Sequence, residues 1–573
     1  MNARPKSGDD RQNRYLRKLY GDAQAPIISA KITALQEKYG NAAKQNSDAA
    51  LLTEKDVLLI TYGDTLTDNT APPLKVFHRF YREYLQGIFD LVHILPFHPY
   101  SSDDGFSVID YFAVRDDVGS WDDIGDLGKD CRVMADAVIN HTSSQSEWFT
   151  KYLDRDPRFS DFYIDCDPES DTSSVVRPRT SPLLTRFPDS GGTARYVWTT
   201  FSPDQVDLNF RNPDVLVAVI DVLFFLISKG ARLLRLDAVT YLWKEPGTSS
   251  ANLPETHVLI KIMRQAVSSL CSDVVVVTET NVPHRENVAY FGDGHDEAHM
   301  VYNFALPPLI AYSLIAGNGR HLSDWASHLS TPSDEVCFLN FTASHDGVGV
   351  RPVEEILTDG ELQTLVDATL ASKGMVSYRT LSDGEERPYE LNCTFLDLIS
   401  RETEDVALTV SRFVASQAIV LAMPGVPAIY IQSLLGTRND LQGVERSGRA
   451  RSINRSRHDY SDVATALSHT GSVEARIFDR LTHLIRVRRQ QDAFNPYAPF
   501  EVLDHGDSIF AIRRGDPTSG ATITCINNLT DKEVPLEVSD AVSGQELLGG
   551  ANVPAGKHLL PPYAVWWLLA DKQ

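Results

Sequence analysis

A chain of 573 residues, 42% hydrophobic and 23% charged, has the composition of a soluble globular protein and the length for about two to four domains. Its net charge of −23 argues against nucleic acid or an anionic membrane as partner, and means that any anionic substrate must meet a locally basic pocket. The six cysteines (Cys131, Cys166, Cys271, Cys337, Cys393 and Cys525) form no CxxC pair, which favours reduced thiols in a cytoplasmic protein over a disulfide or zinc framework.

At the N-terminus, MNARPKSGDDRQNRYLRKLYGD has no apolar h-region, so no signal peptide is expected. No apolar run reaches the roughly 18 residues of a membrane span. Residues 1–54 read as a polar extension with one amphipathic helix around ISAKITALQEKYG. From there to about 495, apolar strand-like runs alternate with helical stretches. The runs are VLLITYGD (57–64), LVHILPF (91–97), RVMADAVINH (132–141), ARLLRLDAV (231–239), DVVVVTET (273–280), HMVYNFALP (299–307), VCFLNFTASHD (336–346) and PAIYIQSLLG (427–436). Their hydrophobicity is nearly continuous rather than alternating, which suits a parallel sheet buried on both faces, and eight of them suit a (β/α)8 TIM barrel of the α/β class.

Two connections are too long for ordinary barrel loops and are expected to be inserted subdomains: 142–212, a B-type insertion, and 352–410, an acceptor-loop or B′-type insertion. The barrel is thus expected over 55–495. From 496 to 573, short runs such as FAIRRGD, ATITCINNL and AVWWLLA with turn signals between them predict a C-terminal antiparallel β domain.

Four runs finish in or near a carboxylate: Asp136, Asp237, Glu279 and Asp346. The C-terminal strand ends of such a barrel converge on one mouth, where active sites are built. A lone Asp after a strand is commonly a helix N-cap, a lone buried Arg or His is commonly structural, and Asp136 can serve simply to hold the mouth together. The joint pattern favours function, because His141 follows Asn140, His345 precedes Asp346, and Arg235 stands two residues before Asp237. Glycosyl transfer with retention needs one ionised carboxylate to attack and one protonated carboxyl to release the leaving group. At i, i+2 spacing Arg235 shares a strand face with Asp237, and is expected to keep that carboxylate ionised by lowering its pKa. A third carboxylate, Asp346, suits sugar hydroxyls and oxocarbenium character.

DAVINH, RLLRLDAV, TET and TASHD resemble the four signature regions of the α-amylase superfamily, glycoside hydrolase family 13. LPFHPYSSDDGFSVIDY, VRPRTSPLLTRF, VWTTFSPDQVDLNF, WKEPGTS, PGVPAIYIQSLLGTRND and RSINR resemble its sucrose phosphorylase subfamily. The resemblance covers about residues 55–490. It implies a retaining phosphorylase that uses an α-glucoside, inorganic phosphate and glucose 1-phosphate, with no metal or organic cofactor. Residue by residue it implies Asp237 as nucleophile, Glu279 as general acid/base and Asp346 as transition-state stabiliser. Asp103, His141, Arg235, His345 and Arg451 are implied as glucosyl ligands, Phe106 and Tyr241 as an aromatic platform, and Phe201 and Gln205 as lining near the anomeric centre. Read alone, Phe106 and Phe201 are equally plain core, and Gln205 a surface residue. Arg179 and Tyr389 match loop positions linked to phosphate or acceptor binding. Asn140 matches a position that related amylases use for calcium.

Three features depart from sucrose enzymes. TETN puts Asn281 where they carry His, YEL at 389–391 replaces Tyr followed by Gln, and an extension precedes the first strand. These resemble the glucosylglycerate phosphorylase branch, which implies cleavage of 2-O-α-glucosylglycerate. A sucrose, glucosylglycerol or sucrose 6-phosphate phosphorylase is the alternative. A plain α-glucosidase fits the basic RPRTSPLLTR segment less well, and a catalytically dead scaffold fits the retained carboxylates less well. Arg177, Arg179 and Arg186 on one insertion and Arg379 and Arg387 on the other are the candidate anion-binding cations, with Arg179 the foremost. Oligomeric state, a homo-oligomer included, stays open.

Overall fold

The computed structural model describes residues 8–42, 51–178, 181–380, 385–401, 405–515 and 520–570. Each of the eight apolar runs contains one strand of a closed parallel barrel. These are β1 (Leu58–Thr61), β2 (Leu91–Ile94), β3 (Arg132–Val138), β4 (Ala231–Asp237), β5 (Val275–Thr278), β6 (Met300–Tyr302), β7 (Cys337–Asn340) and β8 (Val426–Tyr430). Around the barrel the order is β1, β8, β7, β6, β5, β4, β3, β2 and back to β1. Almost every strand residue is buried, because side chains pack inward into the barrel and outward under helices. In register, β3 and β4 set Asp136 beside Arg235 and Val138 beside Asp237, and β4 and β5 set Leu236 beside Thr278. Backbone pairing thus sets Asp136, Arg235 and Asp237 side by side at the mouth.

The N-terminal segment departs from expectation. It forms α1 (Gly8–Tyr39), two helical pieces broken at Gly21, whose φ of 79° and ψ of 169° favour glycine. Leu16, Ala25, Ile28 and Ile32 are fully buried, against α2 (Pro213–Ser228) and α3 (Pro254–Leu270). Tyr15 donates to Asp296 at 3.0 Å and Tyr20 to the Phe210 carbonyl at 2.8 Å. The extension is polar on one face only, and its apolar face is docked on the barrel.

Between residues 142 and 212, two small antiparallel pairs form: His141–Ser143 with Gln205–Asp207, and Leu184–Pro188 with Ala194–Trp198. Past Asp346, Val348–Gly349 pairs with Glu386–Asn392, which pairs in turn with Met375–Thr380. Six short strands between Phe500 and Ala570 make an antiparallel sheet, flanked by the pair Val534–Val538 and Gly556–Leu560. A buried arginine of this sheet, Arg514, joins it to the barrel by donating to the Ala422 and Met423 carbonyls at 2.8 and 2.7 Å, while buried Arg488, on the helix Val473–Arg488, donates to the Leu421 and Phe494 carbonyls within the barrel domain. No helix among the described residues is long and apolar enough to cross a membrane.

Candidate active site

Arg235 is the hub. Its Nη1 donates to Asp136 Oδ1 at 2.5 Å and to Asp237 Oδ1 at 2.7 Å, while Nη2 lies 4.0 Å from Glu279 Oε2. The guanidinium is 3% exposed, so these bonds act with little solvent screening. Asp136 also pairs with His93 Nε2 at 2.7 Å. It lies inside β3 rather than at its end and does not line the cavity, so its work is to hold Arg235 in place.

Asp237 is the last residue of β4, and Ala238 after it takes the left-handed conformation (φ 52°, ψ 35°). For a non-glycine residue that costs about 1–2 kcal/mol. The sharp turn points the Ala238 N–H at Glu279, which accepts from it at 3.0 Å through Oε2. Glu279 follows β5 directly, and its own N–H donates to the Leu236 carbonyl at 3.1 Å. The two carboxylates therefore bracket one guanidinium and are joined by one backbone bond.

Asp346 stands six residues beyond β7, in a loop rather than at a strand end. Arg451 reaches it with Nη1 at 2.5 Å, and Arg455 with Nη2 at 3.6 Å. Behind Arg451, Glu390 accepts from Nη2 at 2.9 Å and Nε at 3.1 Å, and from the Gly347 N–H at 3.1 Å. The His345 ring stacks on Phe106 with centroids 4.6 Å apart and planes at 7°. His141 Nε2 bonds the Phe106 carbonyl at 2.8 Å, and Gln205 Nε2 donates to the same carbonyl at 3.1 Å. Phe201 packs between His141 and Tyr241, with centroids at 5.3 and 5.5 Å. Phe106 and Tyr241, expected as one platform, thus stand in separate aromatic pairs. Asp103 (φ 53°) and Asp104 (φ 49°) turn the chain sharply into Gly105 (φ 115°), where a Cβ would meet Pro96 at 2.7 Å. This turn brings Asp103 to the cavity, while Asp104 pairs with Arg455 at 2.5 Å.

Burial pushes the Glu279 carboxyl up to about 7; Arg235 opposes this, and the neighbouring charges of Asp237 and Asp346 add to it. Burial likewise raises Asp237 above the ordinary carboxylate value, against the pull of Arg235 and His141. This corrects the expectation that Arg235 holds Asp237 below its usual value: the guanidinium acts in that direction, but the cost of burial exceeds it. Of the two, Glu279 has the weaker hold on Arg235, at 4.0 Å against 2.7 Å for Asp237. Asp346 is held well below the usual range, burial being outweighed by the charges of Arg451 and Arg455. Burial takes His345 well below its ordinary value, so its ring is neutral.

One cavity is lined by Asp103, Phe106, His141, Phe201, Gln205, Arg235, Asp237, Tyr241, Glu279, His345, Asp346, Tyr389 and Arg451. Every expected site residue is on its wall except Arg179, which lies outside the described residues. Ala238, Thr240 and Asn281 complete it. Two of the other candidate cations are paired with acids. Arg379 is held by both Glu354 oxygens at 2.8 and 2.9 Å, Arg387 faces Glu385 at 3.6 Å, and Arg186 is exposed. Arg177 is half-buried, and its Nε and Nη2 have no hydrogen-bond partner.

Sequence reasoning missed two residues. Glu390 supports Arg451, as above. Lys244, fully buried, places Nζ 2.8 Å from Asn140 Oδ1 and 3.0 Å from Asp207 Oδ2. That ammonium fills the place beside Asn140 where a calcium ion would need its oxygens. Glu390 had a signal, the YEL departure, whereas a lysine seven residues past Asp237 carries none.

Residues 82–347 match the family model "Alpha amylase, catalytic domain". The chain is 42% identical to the glucosylglycerate phosphorylase of Escherichia coli over 90% of this chain and 92% of that protein. It is 30% identical to the sucrose phosphorylase of Agrobacterium vitis over 78% of this chain and 90% of that protein. The crystal structure of a sucrose 6F-phosphate phosphorylase from Thermoanaerobacter thermosaccharolyticum shares the fold, with a TM-score of 0.74 at 23% identity over 88% of this chain and 98% of that one. At 42% identity to the E. coli protein over 90% of its length, the chain belongs to the glucosylglycerate phosphorylase family.

Proposed function

We propose that this protein is a retaining phosphorylase that cleaves 2-O-α-D-glucosylglycerate reversibly to α-D-glucose 1-phosphate and glycerate. The observation that carries the chemistry is the pair of unequal carboxyls on Arg235, with Glu279 raised to about 7 beside Asp237. The 42% identity to the E. coli enzyme carries the substrate.

In the first half-reaction an Asp237 oxygen attacks the anomeric carbon. The bond from that carbon to the glycerate oxygen breaks, and Glu279 gives its proton to that oxygen. The product is a glucosyl ester on Asp237. In the second, a phosphate oxygen attacks the same carbon from the vacated side, Glu279 takes the proton of the attacking hydroxyl, and the ester bond breaks. Asp346, kept ionised by Arg451 and Arg455, stabilises positive charge as it develops at the ring. Asp103, His141, Arg235, His345 and Arg451 hold the glucosyl hydroxyls, Phe106 and Tyr241 pack on the ring, and Phe201 and Gln205 border the anomeric centre. Tyr389 and Arg179 belong to the acceptor side, on the insertions 352–410 and 142–212 of a catalytic domain spanning 55–495. The extension 1–54 and the β domain 496–573 lie outside the chemistry. Six buried free cysteines favour a cytoplasmic setting, where thiols stay reduced.

The direct test is to incubate the protein with inorganic phosphate and a panel of α-glucosides and to measure glucose 1-phosphate. Release from glucosylglycerate supports the reading; release from sucrose or glucosylglycerol instead moves the chain to another acceptor.

A further inference from the structure

Asp103 and Phe106 reach the cavity from the tip of a narrow loop after β2. At its neck Tyr100 bridges Val108 in antiparallel fashion, and the Ser101 N–H donates to the Ser107 carbonyl at 3.1 Å. At its tip Asp103, Asp104 and Gly105 all have positive φ, and two of the three are not glycine. Such a conformation persists only where the surroundings over-determine it. One support acts at Asp104, whose carboxylate accepts from Arg455 at 2.5 Å and from Arg449 at 3.3 Å.

The other support is Asp204, one residue before Gln205. Its Oδ2 accepts from the Ser101 and Ser102 hydroxyls, each at 2.5 Å. The Ser107 hydroxyl lies 2.9 Å from the same oxygen and 2.8 Å from the Asp204 carbonyl. Oδ1 accepts from the Ser144 hydroxyl at 2.6 Å, and the Asp204 carbonyl accepts from the Ser144 N–H at 3.0 Å. One half-buried carboxylate therefore gathers hydroxyls from both sides of the neck and from the residue after the strand His141–Ser143. Gln205 donates to the Phe106 carbonyl at 3.1 Å, so two successive residues grip the same loop at neck and tip. Burial raises the Asp204 carboxyl, but the serine hydroxyls outweigh it and leave it below its usual value.

An ionised carboxylate suits this place because it only accepts, so several hydroxyls can point their protons at it together, and bonds to a charged acceptor are the stronger kind. Neither Asp204 nor its serines line the cavity, so their effect on a substrate passes through the residues they hold. We propose that Asp204 is a positioning residue for the glucosyl site: by stapling the neck of the loop it sets where Asp103 and Phe106 meet the sugar, and it acts on glucosyl transfer rather than on the acceptor. This deepens the phosphorylase reading and rests on Asp103 being a glucosyl ligand.

The experiment uses α-glucosyl fluoride as donor and phosphate as acceptor, with the wild-type protein, Asp204→Ala, Asp204→Asn, Asp103→Ala and the Asp103→Ala, Asp204→Ala double variant, each with a melting curve. Asp204→Ala should lower kcat/KM for the fluoride at least about tenfold while the KM for phosphate moves less than about threefold. Asp204→Asn keeps one acceptor oxygen and should recover part of the loss. In the Asp103→Ala background the Asp204→Ala change should lower kcat/KM by less than about threefold, because the ligand it positions is already gone. A loss repeated in full in that background, a loss matched in the phosphate KM, or wild-type kinetics in Asp204→Ala overturns the positioning role. Should Asp204→Ala fail to fold, Asp204→Asn and Ser102→Ala carry the same comparison in both backgrounds, and absence of a loss in both variants overturns it. An Asp103→Ala variant with undiminished kcat/KM counts instead against the glucosyl-site reading itself.

Discussion

Asp237 and Glu279 differ less in chemistry than in what surrounds them. Asp237 takes the direct 2.7 Å bond from Arg235, whereas Glu279 sits 4.0 Å from the same guanidinium. Replacing Asp237 with Asn removes the nucleophile but leaves the shape, so phosphorolysis should fall by at least about 10³-fold with thermal unfolding little changed. Steady-state kinetics beside a melting curve checks this; full activity in the Asn variant would remove the covalent mechanism. Glu279, raised to about 7, must be protonated to act as acid. The sign is that activity is held below that value and lost as pH rises through it, giving kcat/KM a basic limb near 7. In Glu279→Gln that limb should vanish, with natural glucosides slowed far more than α-glucosyl fluoride, whose leaving group needs little protonation. Equal losses on both substrates would reassign Glu279 to binding. Lys244 gives a third test. Its ammonium holds Asn140 and Asp207, so a chelator should not affect activity, while Lys244→Met strands a buried Asp207 charge and should cost about 3 kcal/mol of stability. Chelator inactivation reversed by calcium is the contrary outcome.

At the scale of elements, the strand Glu386–Asn392 ties the acceptor side to the catalytic side. Glu390 grips Arg451 with two bonds and the Gly347 backbone with a third, and Arg451 in turn grips Asp346. Glu390→Gln keeps the volume but halves the charge-assisted grip, so kcat with α-glucosyl fluoride should drop about tenfold while the KM for phosphate moves little. A loss confined to the phosphate KM would place Glu390 on the acceptor instead. The strands themselves were legible because a sheet buried on both faces leaves an uninterrupted apolar run, and all eight runs hold one. The supports were not. Glu390 and Arg451 are 61 residues apart, and Lys244 and Asn140 104 apart; such pairs exist only once the strands have closed. The break at Gly21 was missed for a related reason, since a lone glycine in a helical pattern does not announce which conformation it will take. The fate of Asp237 depended on magnitude: Arg235 was read with the right partner and sign, but the cost of burial is set by everything packed around the mouth.

For the whole molecule, a net charge of −23 repels phosphate and glycerate at a distance, so their capture depends on a few local cations. Many arginines in the described structure are already committed. Arg514 fastens the C-terminal sheet to the barrel through carbonyls, Arg488 binds carbonyls within the barrel domain, and Arg235, Arg451 and Arg455 serve the catalytic carboxylates. An anionic leaving group would gain from a cation at the acceptor side, the place proposed for Arg179, and fructose, which is neutral, would not. The most direct measurement is therefore the ratio of kcat/KM for phosphorolysis of glucosylglycerate to that of sucrose under the same phosphate concentration. A ratio of at least about ten, equivalent to about 1.4 kcal/mol, is the expected result. Sucrose matching or exceeding glucosylglycerate would contradict the acceptor assignment while leaving glucosyl transfer through Asp237 standing.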